Sequence, residues 1–326
     1  MPPILEEILG KLGIKDIAAD IYSMSKSELF GNFSHQSGGL NTTRMIRNLI
    51  WQDYRRVQSE TLEPFHGNIR SYWYARVKPV LSRAEEASDS AKYHMMIDQF
   101  VTMALHNRLF NYRDLGFSDE NATNRRLGNW NRHVFLVAEK VGHYPLLEEI
   151  WADYDVTVFS FGGQPSALST EYFLNELEES GFDTRQDVPL FTIVDYDPSG
   201  DIIAESFIFQ MKRFGYKGSF YRIDLFHPSR LTRDQIRLNK YTLSKKKSER
   251  KKNRKWAAKT RGLEPYGFNV LAGLEADTMG WTQYKDVFAA EVAPYLKVPR
   301  DEVVRRRLNH ELVEVLMQIL MIRLQL

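Results

Sequence analysis

Apolar residues recur along the chain with two different periods, and the change from one to the other divides it. Between residues 3 and 24, Ile4, Ile8, Leu9, Leu12, Ile17 and Ile21 stand near helical spacing, with Gly13 marking a break between two short pieces; a helix packed on its own domain is the expected role and a docking surface for a partner subunit the alternative. The stretch from Gly31 to Asn41 has loop composition, and Asn41-Thr42-Thr43 predicts the cap of a helix running towards Glu60. Met45, Leu49 and Ile50 form one apolar face of a helical region that continues to about Gly128, and Tyr93, Met96, Ile97, Phe100, Val101, Ala104 and Leu105 form another. After it the rhythm changes. Strand-like runs at 134–138, 156–161 and 190–194 alternate with helical stretches near 144–153, 168–180 and 201–214, as in a parallel sheet covered by helices. The last segment, Asp301 to Leu326, predicts an amphipathic helix with Val304, Leu308, Leu312, Val315, Leu316, Ile319 and Leu320 on one side. Core packing is its expected role and self-association the alternative.

Composition adds limits. A chain of 326 residues with 43% hydrophobic content can bury a core in each of two domains. Lys and Arg number 44 against 42 Asp and Glu, so the net charge of +2 selects no partner class. The distribution is more informative, because residues 245–261 hold ten bases and one acid. Such a run is ordinarily a solvated, mobile stretch, and beside a metal site that acts on nucleic acid it becomes a phosphate contact. The absence of cysteine excludes disulfides, thiol catalysis and cysteine zinc ribbons. No signal peptide and no apolar run of membrane-spanning length is visible, so the expectation is a soluble intracellular protein with no membrane partner.

The sharpest chemistry lies in Phe191-Thr192-Ile193-Val194-Asp195-Tyr196-Asp197-Pro198-Ser199-Gly200. Asp195 and Asp197 follow an apolar strand two residues apart, hence on one side, before a Pro-Ser-Gly turn into a helix. Val134-Phe135-Leu136-Val137-Ala138 ends in Glu139 and brings a third carboxylate to the same end of a parallel sheet. Hard oxygen ligands of this kind suit magnesium or manganese, which can bridge to phosphate. The competing reading is a strand-end turn whose acids cap the next helix. Between the acidic strands, Gly162-Gly163-Gln164-Pro165-Ser166 forms a strand-to-helix turn of a type that can present amides to phosphate.

In this order, Ala138-Glu139-Lys140, Gly163-Gln164-Pro165-Ser166 and Asp195-Tyr196-Asp197-Pro198-Ser199-Gly200 resemble the Toprim motifs of topoisomerase VI A subunits and the related meiotic double-strand-break transesterase. The resemblance implies that Glu139, Asp195 and Asp197 bind magnesium. The chain departs from the family where members carry Lys-Gly-aromatic-Pro-Asp, having Gly162-Gly163-Gln164-Pro165-Ser166 instead. The family nucleophile is a tyrosine in a pattern of Arg, two variable residues, an aromatic and Tyr, which Arg70-Ser71-Tyr72-Trp73-Tyr74 matches. Tyr74 is therefore the expected nucleophile. On a helix, Arg70 lies on its face while Tyr72 points elsewhere. Leu271-Ala272-Gly273-Leu274-Glu275-Ala276-Asp277 is similar to the acidic segment that members carry late in the domain.

What the resemblance implies is an α/β Rossmann-like Toprim domain over 129–326, with a C-terminal helical region and dimer contacts. A mainly helical, CAP-like winged-helix domain over 41–128 would precede it, and a helical extension over 1–40 would dock a partner through Ile4, Ile8 and Leu12. The implied function is the DNA-cleaving subunit of a type IIB topoisomerase, an isomerase that makes double-strand breaks through a 5′-phosphotyrosyl link. Implied partners are double-stranded DNA, a second copy of the chain and a B-type ATPase subunit. ATP would enter only through that subunit, since no Walker loop is present. Expected localisation is cytoplasmic with the nucleoid, or nuclear in a eukaryote. The alternatives are a Toprim nuclease that hydrolyses DNA without Tyr74 and a non-catalytic DNA-binding subunit.

Overall fold

The computed structural model describes residues 3–15, 17 and 19–324. Positions 1, 2, 16 and 18 of the expected N-terminal extension and 325 and 326 of the expected C-terminal helix lie outside the described residues. The chain forms two compact units, Met1–Glu120 with Ala167–Tyr172, and Asn121–Ser166 with Phe173–Leu326.

The first unit is helical. Its elements are α1 (Pro3–Lys11), α2 (Lys26–Phe33), α3 (Thr42–Gln58), α4 (Ile69–Tyr72), α5 (Lys78–Arg83) and α6 (Ser90–Phe100). Side chains at the helix starts satisfy the free amides there: Ser25 and Glu28 form a capping box on α2, Asn41 accepts from the Arg44 amide, and Asp89 from the Lys92 amide. On α3, Met45, Ile46, Leu49 and Ile50 are wholly buried, as the helical period requires. The core is aromatic, with Tyr72, Phe100 and Phe117 in mutual contact at centroid separations of 5.2 to 5.4 Å. Among the described residues this unit forms no strand, and its backbone bridges Ser34–Leu40 and Gly67–Phe117 are isolated.

Between α4 and α5, Trp73–Val77 winds as a π-helix, with the Lys78 amide donating to the Trp73 carbonyl five residues back. Pro79 has no amide hydrogen for a bond to the preceding turn, which favours local widening here. Tyr74 sits on that widened turn.

The second unit is α/β and Rossmann-like. Strands β1 (Arg125–Arg126), β2 (Asn131–Ala138), β3 (Val156–Ser160), β4 (Val188–Ile193) and β5 (Phe220–Asp224) form one sheet in the order β1-β3-β2-β4-β5. All neighbours are parallel except β1 and β3. Helices α7 (Tyr144–Tyr154), α8 (Ala167–Glu179) and α9 (Pro198–Phe214) make the crossovers. Alternation along the strands supplies two cores. Val134, Leu136, Phe191 and Ile193 pack on one face of the sheet, while Phe135, Val137, Leu190 and Val194 pack with Phe173 and Phe207 on the other. Chain order reverses between β3 and β4 on either side of β2, so the carboxyl ends of β2 and β4 flank a topological switch point.

Beyond β5 come α10 (Arg233–Asn239), β6 (Lys240–Thr242), α11 (Arg250–Thr260), β7 (Ala272–Leu274), α12 (Trp281–Val292) and α13 (Arg300–Leu324), with β6 and β7 paired antiparallel. Two expectations change here. The basic run is not a loose stretch: much of it is α11, held by buried Asn253 and Trp256. The C-terminal helix packs only through its first turns, where Val303 is buried and Val304 partly so; beyond them Leu308, Leu312, Val315, Leu316, Ile319 and Leu320 are all about half exposed. No helix among the described residues is long and apolar enough to cross a membrane.

Candidate functional site

Parallel register sets the first cluster. Ala138 pairs with Ile193, so the chain leaves both strands at the same level, and the Glu139 amide donates to the Ile193 carbonyl at 3.0 Å. Glu139 Oε2 in turn accepts from the Asp195 amide at 3.3 Å. The neighbouring Gly162 and Gly163 adopt positive φ, and the Gly163 amide donates to the Glu139 carbonyl at 2.7 Å. That amide is committed to holding Glu139. Ser160 Oγ likewise donates to the Lys140 carbonyl at 2.9 Å.

Asp197 is the N-cap of α9: its Oδ1 accepts from the Ser199 and Gly200 amides, both at 2.7 Å, and its Oδ2 accepts from Tyr241 Oη at 2.7 Å. Asp195 Oδ1 accepts from the Ala276 amide at 2.7 Å and lies 3.2 Å from Lys140 Nζ. That ammonium also reaches Glu275 at 2.5 Å and Asp277 at 2.8 Å. His143, buried, meets Asp277 at 3.1 Å.

The electrostatics follow from burial and crowding. Desolvation, then the charge of Asp195, pushes the Glu139 carboxyl up to about 7. Desolvation also raises Asp195, against the Ala276 amide and Lys140. Burial opposes the charge on Lys140, but its bonds to Asp277 and Glu275 and the charge of Asp195 outweigh this and hold the ammonium above its usual range. Burial, then the charge of Asp197, keeps Tyr241 a neutral donor.

Among the described residues no three His, Asp or Glu side chains already stand as a metal-binding group. The donor chemistry nevertheless suits a hard dication. Glu139, Asp195 and Asp197 are carboxylates whose mutual repulsion a cation would relieve, and each oxygen that accepts one hydrogen bond keeps a second lone pair.

The second cluster lies in the helical unit. Tyr72 is buried, and its hydroxyl shares Asp53 Oδ2 with Tyr22, at 2.7 and 2.6 Å. Burial holds the Tyr72 phenol far above its ordinary range, so it is a structural donor. Tyr74, two residues on, is 52% exposed. It lines a depression of about 370 Å³ with Arg70, Lys78, Tyr93 and His94, and Lys78 Nζ stands 5.2 Å from its ring centroid. The structure therefore brings Arg70 and Tyr74 to one pocket and points Tyr72 away from it.

Neither protein-family models nor curated proteins match this chain. The functional reading accordingly rests on the two clusters. Lys140, Tyr241 and Gly273 were given no role by sequence reasoning. Lys140 directly follows Glu139 in the chain, which is a usable signal. Tyr241 carries none, because only the pairing of β6 with β7 brings it to Asp197. A Cβ at Gly273 would come within 3.0 Å of the Asp197 Cβ and 2.9 Å of the Tyr241 ring, so the absence of a side chain there permits them to meet.

Proposed function

We propose that this chain is the DNA-cleaving subunit of a topoisomerase VI-like enzyme, a Toprim domain joined to a winged-helix-type helical domain, acting by tyrosine transesterification. The observation that carries the reading is the convergence of Glu139 with the Asp195 and Asp197 loop on adjacent parallel strands at the switch point. The exposure of Tyr74 in a pocket with two cations supports it further. Magnesium, or manganese in its place, would be held by Glu139, Asp195 and Asp197 and would supply positive charge to the phosphate oxygens.

The residues divide the work. Tyr74 Oη forms a bond to phosphorus as the bond from phosphorus to the 3′-oxygen breaks, and the phenolic proton is passed on to the departing oxygen. Arg70 and Lys78 line the same pocket and hold the phosphate beside Tyr74. The phosphodiester energy is kept in the 5′-phosphotyrosyl link. Two copies cut opposite strands, the tyrosine of each serving the carboxylates of the other. The exposed apolar helix α13 supports self-association. Its residues Leu308, Leu312, Val315, Ile319 and Ile322 alternate at spacings of four and three, the seam of a coiled coil. A B-type ATPase subunit would dock at the N-terminal helices, where Ile4 is 73% exposed. The setting would be the nucleoid, or the nucleus in a eukaryote.

A second reading has its own observation. Three donors already engage Asp197, which favours a DNA-binding subunit that keeps the acids as a cap. Denaturing gels of DNA ends after incubation with magnesium decide among the readings. A transesterase gives a protein-linked end that Tyr74→Phe and Asp195→Ala both abolish. A nuclease cuts with Tyr74→Phe intact, and a binding subunit cuts in neither form.

A further inference from the structure

The run at 245–261 has charge its own surroundings do not use. Lys252 pairs with Glu249 at 2.9 Å, Lys259 with Asp201 at 3.0 Å, and Arg261 with Glu264 at 3.3 Å. Lys245, Lys246, Lys247, Arg250, Lys251, Arg254 and Lys255 are exposed, and among the described residues none of them has a carboxylate partner. On α11, Arg250 with Arg254 and Lys251 with Lys255 also place like charges four apart, which opposes the helix. A polyanion laid along the helix would relieve both.

The helix is nonetheless fixed, and what fixes it is the carboxylate loop. Trp256 is buried with its ring edge-on to Tyr196, centroids 5.3 Å apart, and Tyr196 is the residue between Asp195 and Asp197. Tyr196 Oη donates to the Gly262 carbonyl at 3.2 Å, and Lys252 Nζ donates to Ser199 Oγ at 3.1 Å, in the turn that Asp197 caps. Between α9 and α11 runs a groove of about 780 Å³, with Pro198, Ile202 and Phe209 on one side and Lys251, Lys252 and Lys255 on the other.

We infer that α11 is a phosphate track that lays a DNA duplex along the approach to the carboxylate site. Calling the polyanion DNA rests on the function proposed above. The seven unpaired cations and the direct docking of α11 on the Asp195–Asp197 loop do not. An acidic membrane surface fits less well, because the one large apolar side chain of α11, Trp256, is buried and no apolar face remains to enter lipid.

The test measures binding of the full chain to a fluorescent 30-base-pair duplex of mixed sequence as a function of salt. Removing one cation from the phosphate backbone should lower the slope of log K against log salt by about 0.9, so Lys251→Gln with Arg254→Gln and Lys255→Gln should lower it by about 2.7. Glutamine equals lysine as a helix former, so α11 is kept. A melting curve checks this, and the single variant Lys255→Gln, with a slope change of about 0.9, serves if the triple variant melts early. The charge-matched control alters Arg185, Arg237 and Lys285 to Gln, cations already paired with carboxylates, and should leave the slope unchanged.

An unchanged slope in the α11 variants overturns the track, and so does an equal fall in the control. It is overturned too if the variants lose binding to vesicles of acidic phospholipid while the DNA slope stays. A normal protein-linked DNA end with an unchanged slope removes the track and keeps the transesterase. A lowered slope with no such end in the wild type keeps the track and removes the transesterase. A wild type without affinity for the duplex removes both.

Discussion

Gly200→Ala should loosen the carboxylate loop without touching a carboxylate. Gly200 is buried in the first turn of α9, and a Cβ there would lie 2.1 Å from the Asp195 carbonyl oxygen and 3.0 Å from its carbon and nitrogen. The nearest obstacle is backbone, so no side chain can swing aside, and a shift on the order of 1 Å is needed to restore van der Waals separation. The Asp195 carbonyl also accepts from the Asp197 amide at 2.9 Å, while the Asp195 side chain is tied to Ala276. Overpacking of this kind costs about 1–3 kcal/mol. If α9 yields instead, the Asp197 cap is broken at a similar cost of about 0.5–2 kcal/mol. For a unit of this size each kcal/mol moves the melting temperature by about 2–4 °C, so a fall of about 2–12 °C is expected. Differential scanning fluorimetry with and without manganese reads both the fall and the loss of metal-dependent stabilisation. Gly142→Ala is the control, since nothing lies within 4 Å of a Cβ there. A Gly200→Ala protein that melts with the wild type and keeps its full manganese response would refute the reasoning.

Tyr72→Phe should destabilise the chain by about 1–3 kcal/mol in urea, since it removes one of the two donors to buried Asp53, while Tyr74→Phe at an exposed position should leave stability unchanged and abolish the DNA link. Glu171, buried and accepting from the Tyr112 and Arg113 amides, has its carboxyl pushed up to about 7 by desolvation. Its folded value lies above the unfolded one, so the folded state holds the extra proton. Stability from this group is therefore full at low pH and falls as pH rises through 7, by about 3 kcal/mol in all. Glu171→Gln should flatten that part of the difference between urea unfolding at pH 5 and at pH 8. Leu312→Asp with Ile319→Asp should convert a self-associated chain to a monomer in sedimentation velocity, and an unchanged sedimentation coefficient would remove α13 from the interface.

The strands were legible because each fills both faces of a covered sheet. Val134 to Ala138 reads as an unbroken apolar run and 190–194 as one interrupted only by Thr192; β2 contains the first, and β4 begins two residues before the second and ends one residue short of it, at Ile193. That Glu139 meets Asp195 was legible too, since parallel strands joined by helices bring their carboxyl ends to one edge. What escaped depended on residues distant in sequence. Tyr241 reaches Asp197 across 44 residues through a three-residue strand pair with no periodic signal of its own. The basic run looked mobile because its charge dominated its composition, and the single tryptophan that docks it says nothing of its target in the sequence. The C-terminal helix misled differently. Its apolar side resembled a core face, but the spacing of four and three is equally that of a surface offered to another helix.

Asp197 shows why the cap and the ligand are not rival roles. An N-cap carboxylate must face the free amides of α9 and accept from them, which fixes its position. A metal ligand must likewise be held still. Tyr241 fixes the second oxygen from the other side, and burial keeps that phenol a neutral donor, so it would not compete with a cation. Around this rigid acid, the Lys140 ammonium pairs with Asp195, Glu275 and Asp277, and its charge also acts on Glu139. Among these residues the carboxylates outnumber the ammonium where β2 and β4 end. A cap alone requires one carboxylate. The additional acid just beyond β2, raised in pKa by desolvation and then by the charges of Asp195 and Asp197, gives the cap nothing and is costly to keep ionised there without a cation. Glu139 is therefore the residue that separates the two readings. If the acids serve only as Asp197's cap and hold no metal, Glu139→Gln should stabilise the chain and leave it indifferent to manganese. If it is a ligand, the same change should remove the manganese-dependent rise in melting temperature.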